Sequence, residues 1–168
     1  MKIDGIIFDL DGTLIDTFNT QLKSWREAFE KVGSTLDTDK FINNFGKSYK
    51  DFTFSIDPSL TNLDINEVIK TNKKLMQERS NEYSLFPESK KILETLNEKR
   101  ITCMIASSNP KHVSESLLKQ FQIDHLIGKV VGPDDVKNGK PAPDMLNLAL
   151  NHHKIHPSMS THFFSYST

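Results

Sequence analysis

Cysteine is almost missing from this sequence: Cys103 is the only one in 168 residues. A lone thiol closes no internal disulfide, so the fold must rest on its core and its hydrogen bonds, as in a reducing compartment. Excess charge is missing too. Lys and Arg total 21 against 22 Asp and Glu, a net charge of -1. That leaves no basic surplus for nucleic acid or an anionic membrane to attract. No apolar run is long enough to span a bilayer, and no apolar h-region follows Lys2. Internal repeats and low-complexity segments are also lacking. These absences predict a cytoplasmic protein with neither a nucleic-acid nor a membrane partner. What is present is ordinary for a soluble chain, with 36% hydrophobic and 26% charged residues. Its length can bury a real core, as one domain or one domain with an insertion.

The most informative stretch is Ile6-Ile7-Phe8-Asp9-Leu10-Asp11-Gly12-Thr13-Leu14-Ile15-Asp16-Thr17. The apolar run from Ile3 to Phe8 predicts a strand buried on both faces. Asp9 then falls at the strand's carboxyl end, where open α/β sheets bind ligands. In extended backbone Asp9 and Asp11 point the same way, and Gly12 lets the chain turn beside them. Two carboxylates held together repel, and a hard divalent cation relieves that repulsion. One can then attack an electrophile while the other handles a proton. A strand followed by an acidic turn is the plainer reading of the same residues.

Beyond this stretch, Thr17 to Val32 predicts a helix, with Phe18, Leu22, Trp25 and Phe29 at helical spacing and Gly33 at its end. A short helix from Asp37 or Thr38 carries Phe41 and Phe45. Asp51 to Asn62, with Pro58, reads as irregular. A longer helix starts at Asp64, with Glu67 as capping-box partner and Ile65, Ile69 and Met76 on its apolar face. From Pro87 a helix turns Ile92, Leu93 and Leu96 inward, and Ile101 to Ala106 forms a second buried strand. Asn109 and Pro110 suit an N-cap and a first helical position. Val113, Leu117, Leu118 and Phe121 line the next helix; Val130-Val131 is a short strand; Pro143-Asp144 opens a helix through Leu150; Thr161 to Phe164 is a last strand. Strands alternating with helices predict a parallel sheet with right-handed crossovers. The helical stretch placed directly after the carboxylate turn can roof the site.

Two further places carry chemistry. Ser107 follows a buried strand and precedes a helix start, where a hydroxyl and unpaired N–H groups grip phosphate oxygens; Ser-Ser-Asn is also a common helix start. Lys140, in Gly139-Lys140-Pro141-Ala142-Pro143-Asp144, is a compact charge that binds phosphate, although loop lysines are usually solvated. His152, His153, His156 and His162 do not read as a metal site: the first two are adjacent and share no helix face, and no Cys or carboxylate joins them. Asp134 and Asp135 read as loop residues.

Asp-x-Asp-Gly-Thr-Leu-x-Asp-Thr after an N-terminal apolar strand resembles the first motif of the haloacid dehalogenase (HAD) superfamily. Ile105-Ala106-Ser107-Ser108-Asn109 resembles its second motif, and Gly139-Lys140-Pro141-Ala142-Pro143-Asp144 its third. The resemblance implies an α/β fold, a Rossmann-like parallel-sheet core over residues 1–16 and 86–168, with an inserted α-helical cap over 17–85. It implies Asp9 as nucleophile, Asp11 as general acid/base, Mg²⁺ held between them, and Lys140 neutralising nucleophile and phosphate. Ser107, Asn109, Lys140, Gly12 and Thr13 become the phosphate-binding set. The partner is then a small phosphorylated metabolite. The nearest likeness is to phosphoglycolate phosphatases, which hydrolyse a phosphomonoester through an aspartyl phosphate.

The fourth motif departs from the family. After Phe163-Phe164, Ser165 takes the usual Gly place and Tyr166 that of the first Asp, so the third family carboxylate is absent. The likeness implies a C-terminally incomplete member with a weakened metal site. Two alternatives stand beside the phosphatase. A phosphosugar mutase resembling β-phosphoglucomutase would carry a His in the first cap helix, where Gln21 aligns. A catalytically impaired remnant would only bind phosphate. Dehalogenases lack a carboxylate at the place of Asp11.

Overall fold

The computed structural model describes residues 3–152. The expected strand Thr161 to Phe164, the fourth-motif residues Ser165 and Tyr166, and His153, His156 and His162 lie outside the described residues. In chain order, β1 (Gly5–Phe8) and β2 (Ile15–Asp16) are followed by helices α1 (Phe18–Glu30), α2 (Thr38–Asn44), α3 (Tyr49–Ile56) and α4 (Asn62–Glu78). Then come β3 (Ser84–Leu85), α5 (Ser89–Glu98), β4 (Thr102–Ala106), α6 (Lys111–Gln120), β5 (Lys129–Val131) and α7 (Asp144–His152). The chain divides into two compact units, Thr17–Ser84 and the segments flanking it.

The flanking segments form an α/β unit. Its sheet has the order β1-β4-β5. Both pairings are parallel, with Ile7 opposite Met104 and Ile105 opposite Val130. The strands are short apolar runs, and Ile7, Phe8, Met104, Ile105 and Val131 are all buried, as a sheet covered on both faces requires. β1 begins two residues later than expected, and Ile3 is exposed. On one side Met145 and Ala149 of α7 pack against Ile7, Met104, Ala106 and Val131. α5 is set by fully buried Leu93 and by the Ser89 hydroxyl, which donates to the Leu14 carbonyl at 2.8 Å. Ile92, expected to point inward, is instead 45% exposed. Leu93 is its chain neighbour, about 100° away around the helix, and the buried stripe of α5 is narrow.

The unit Thr17–Ser84 is built from α1 to α4 around Trp25, Ala28, Phe29, Leu36, Phe41, Phe52, Ile56 and Val68. Aromatic rings make most of it: Phe41 lies edge-on to Phe18 and Phe45 at 5.3 Å, and Trp25 packs on Phe52 at 4.5 Å. α2 starts at Asp37, whose side chain accepts from the Lys40 N–H at 2.7 Å. The segment expected to be irregular holds α3, with Ser48 as N-cap accepting from the Asp51 N–H. Phe52 and Ile56, one helical turn apart, bury its inner face. α4 starts earlier than expected, because Thr61 and Asp64, not Asp64 and Glu67, form the capping box. Its buried stripe is Ile65, Val68, Asn72 and Leu75, while Ile69 and Met76 are only half-buried. Asp57 joins the loops after α1 and α3: it accepts from the Ser34 and Ser59 hydroxyls at 2.6 Å. Those bonds, that of Ser34 first, hold its carboxyl below the usual range.

Phe41 is fully buried and touches three other rings. Phe41→Ala should therefore destabilise this unit by about 3–5 kcal/mol, the transfer loss plus the cavity left behind. Urea unfolding followed by the fluorescence of Trp25, the only tryptophan, reads this directly. A loss under about 1 kcal/mol would show that the neighbouring rings collapse into the gap.

Candidate active site

Every expected site residue among the described residues lies in the α/β unit, at or beyond the carboxyl ends of its strands. Asp9 follows β1 directly. The chain then closes a tight turn in which the Leu10 carbonyl accepts from the N–H groups of Thr13, Leu14 and Ile15 at 3.0–3.3 Å. Gly12 sits in that turn at φ +74°, a left-handed conformation that glycine adopts without a Cβ penalty. The Gly12 N–H donates to the Ile15 carbonyl at 2.8 Å. The backbone donors of Gly12 and Thr13 are thus engaged in shaping the turn, which holds Asp11 in a bridge with Ile15.

Lys140 arrives from the far end of the sequence. Its Nζ lies 2.7 Å from Asp9 Oδ1, and both side chains are less than one-fifth exposed. At that burial the pair is screened less than a surface ion pair. The loop is fixed from both sides. Asp144, in the first turn of α7, accepts from the Asn138 N–H and Nδ2 at 3.2 and 3.0 Å, and the Ala142 N–H donates to the Gly139 carbonyl. α7 is in turn fixed by Met145 and Ala149 in the core. So the sequence Gly-Lys-Pro-Ala-Pro-Asp becomes an anchored arm that presents a cation to the end of β1.

The second approach comes from the end of β4. Ser107 is fully buried, and its N–H donates to the Val131 carbonyl at 3.1 Å. The Asn109 N–H donates to Ser107 Oγ at 3.1 Å, and Asn109 Nδ2 donates to Asp11 Oδ2 at 2.7 Å. Asn109 is not the N-cap of α6, as the sequence suggested. That position falls to Pro110, and the Asn109 amide is turned to Asp11. The cap acceptor comes instead from a distant residue: Asp134 Oδ1 accepts from the Lys111 N–H at 2.9 Å. This bond, more than any other influence, holds the Asp134 carboxyl below the usual range.

The structure therefore gathers two bonded sets at the ends of β1 and β4: Asp9 with Lys140, and Asp11 with Asn109 and Ser107. Asp134 and Gly132 are neighbours of this segment that the sequence did not reveal. The signal for them was a Gly-Pro-Asp-Asp turn directly after an apolar strand. Cys103 is buried, and burial pushes its thiol up to about 11, which disfavours the reactive thiolate. No described helix is long and apolar enough to cross a membrane. Among the described residues no group of three His, Cys, Asp or Glu side chains gathers as a metal site. The donor chemistry of Asp9 and Asp11 nevertheless suits Mg²⁺, a hard ion commonly held by one or two carboxylates plus phosphate oxygens and waters.

Comparison with known proteins places the chain in a family. A family model described as haloacid dehalogenase-like hydrolase matches residues 6–163. Pyrophosphatase PpaX of Oceanobacillus iheyensis is 29% identical over 94% of this chain and 72% of its own length. Fructose-1-phosphate phosphatase YqaB of Escherichia coli is 27% identical over 95% of this chain and 85% of its own. Phosphoglycolate phosphatase of Aliivibrio fischeri is 28% identical over 89% and 69%. The crystal structure of a hydrolase from Pseudomonas syringae superposes with a TM-score of 0.81 at 25% identity, covering 90% of this chain and 71% of that one. With sequence, fold and relatives in agreement, the chain belongs to the haloacid dehalogenase-like hydrolase family, among relatives named as phosphatases.

Proposed function

We propose that this hydrolase is a Mg²⁺-dependent phosphatase acting on a small phosphomonoester, similar to the phosphoglycolate phosphatases. The observation that carries the reading is the pairing of Asp9 with Lys140 beside the pairing of Asp11 with Asn109. The two carboxylates have different partners, and different partners suit different roles. Asp9, oriented by the Lys140 ammonium, attacks phosphorus and becomes an aspartyl phosphate. Asp11 gives a proton to the leaving oxygen, then takes one from the water that hydrolyses the acyl phosphate. Lys140 and the Ser107 hydroxyl bind the non-bridging phosphoryl oxygens, with Thr13 and Asn109 beside them, and Gly12 shapes the turn that carries Asp11. Asp9 and Asp11 would hold Mg²⁺, which when bound offsets the charge gathered by carboxylates and phosphate. The unit Thr17–Ser84 is the helical cap of this reading.

The test is release of p-nitrophenol from p-nitrophenyl phosphate, with phosphate release from phosphoglycolate and sugar phosphates in parallel. Turnover should require added Mg²⁺, vanish with EDTA and return with excess Mg²⁺. Release no faster than the blank, or release indifferent to EDTA, overturns the reading.

A further inference from the structure

Asp134 lies on the loop after β5, yet its carboxylate reaches the first helical N–H of α6, at Lys111. The loop crosses that segment at contact distance. A Cβ added at Gly132 would lie 2.6 Å from Asp134 Oδ1, 2.7 Å from the Lys111 nitrogen and 3.0 Å from the Asn109 carbonyl oxygen. Only glycine lets the loop pass there. The loop is braced within itself: Asp135 Oδ2 accepts from the Gly132 N–H at 3.0 Å, and the Asp135 N–H donates to the Gly132 carbonyl at 3.1 Å. One residue upstream, the Val131 carbonyl accepts from the Ser107 N–H. The segment 131–135 therefore grips the segment 107–111 at several points.

The grip supplies the acceptor that the helix start needs. An Asn side chain two residues before an unpaired N–H ordinarily accepts from it in an Asx turn. For Asn109 that N–H is the one on Lys111. Here Asp134 Oδ1 accepts that N–H, while the Asn109 Nδ2 donates to Asp11. Pro110 offers no side-chain acceptor that would do the same work.

We propose that Gly132 and Asp134 form a strap across the start of α6, and that Asp134 is a positioning residue which keeps the Asn109 amide on Asp11. The structural arrangement stands on its own; its catalytic consequence rests on the phosphatase reading above.

The experiment uses the full chain and two readouts. The first is the Asn109 side-chain NH₂ signal in a ¹⁵N–¹H spectrum, assigned by its loss in Asn109→Ala. The second is kcat and KM with p-nitrophenyl phosphate and Mg²⁺. Asp134→Ala should move the Asn109 signal toward the position of a solvated amide. It should also lower kcat by about 10-fold, the scale on which outer supporting partners act, with KM within about twofold. Asp134→Asn keeps an Oδ1 acceptor, so it should restore both. Adding Asp134→Ala to Asn109→Ala should lower kcat no further, because the strap then has nothing left to position. An unmoved Asn109 signal alongside a lower melting temperature would make Asp134 a plain helix cap and overturn the proposal. So would a moved signal with unchanged kcat in an active parent. A moved signal in a parent that shows no turnover supports the strap and sinks the phosphatase reading instead.

Discussion

Asp9→Asn should reduce turnover to below about 10⁻⁴ of the parent, the scale reached when an enzyme loses a covalent nucleophile. The carboxamide is nearly the same shape, so the end of β1 and the turn behind it stay in place. What disappears is the negative oxygen that pairs with Lys140 Nζ at 2.7 Å and that, in the proposed mechanism, attacks phosphorus. Two measurements separate this role from metal binding alone. The parent, quenched in acid during turnover, should carry a phosphoryl group that hydroxylamine removes, as an acyl phosphate does. Asp9→Asn should carry none, even at Mg²⁺ concentrations that compensate for weaker binding. A phosphoenzyme in Asp9→Asn, or turnover near the parent rate, would move the nucleophile elsewhere.

Much of this site was legible in the sequence because its strongest signals are local. Asp9, Asp11 and Gly12 lie within four residues, directly after an apolar strand, and their spacing carries its own geometry. Ser107 was readable for the same reason, as was Lys140 in a short Pro- and Gly-bounded loop. The α/β order followed from apolar runs alternating with helical periodicity, and the sheet has the parallel pairing this implies. The reading failed where local signals compete. α3 forms where the sequence predicts irregular chain, because Pro58 lies beyond its end and the capping pair Ser48 and Asp51 stands at its start. α4 starts two residues before Asp64 because two acidic residues, Asp64 and Glu67, both follow a plausible cap, and Thr61 has the backbone to use one. Asn109 looked like an N-cap because its neighbour is proline; the acceptor at that helix start is a carboxylate 25 residues downstream, Asp134. No periodicity encodes such a pairing. It follows from β5 returning beside β4, which sets the loop after one strand over the helix that follows the other.

Asp11→Asn should lose about 10²–10⁴-fold in steady-state rate, the usual worth of a positioned general acid/base, but the loss should be unequal between the two chemical steps. Phosphoryl transfer to Asp9 needs a proton on the leaving oxygen only when that oxygen is basic. p-Nitrophenolate leaves readily without one, whereas an alkyl alkoxide does not. Hydrolysis of the aspartyl phosphate, by contrast, needs a base to activate water whatever the first substrate was. With p-nitrophenyl phosphate, Asp11→Asn should therefore release about one equivalent of p-nitrophenol rapidly and then slow, with phosphoenzyme accumulating. With an alkyl phosphomonoester there should be no burst, because the first step is blocked. The substitution is also a careful one structurally: the carboxamide still offers an oxygen to Asn109 Nδ2, which donates to Asp11 Oδ2 at 2.7 Å, so the arm from β4 keeps its anchor. Rapid-quench measurement of both substrates decides the matter. Equal losses on the two substrates with no burst on either would show that Asp11 acts through binding or placement, and not as the group that carries the proton.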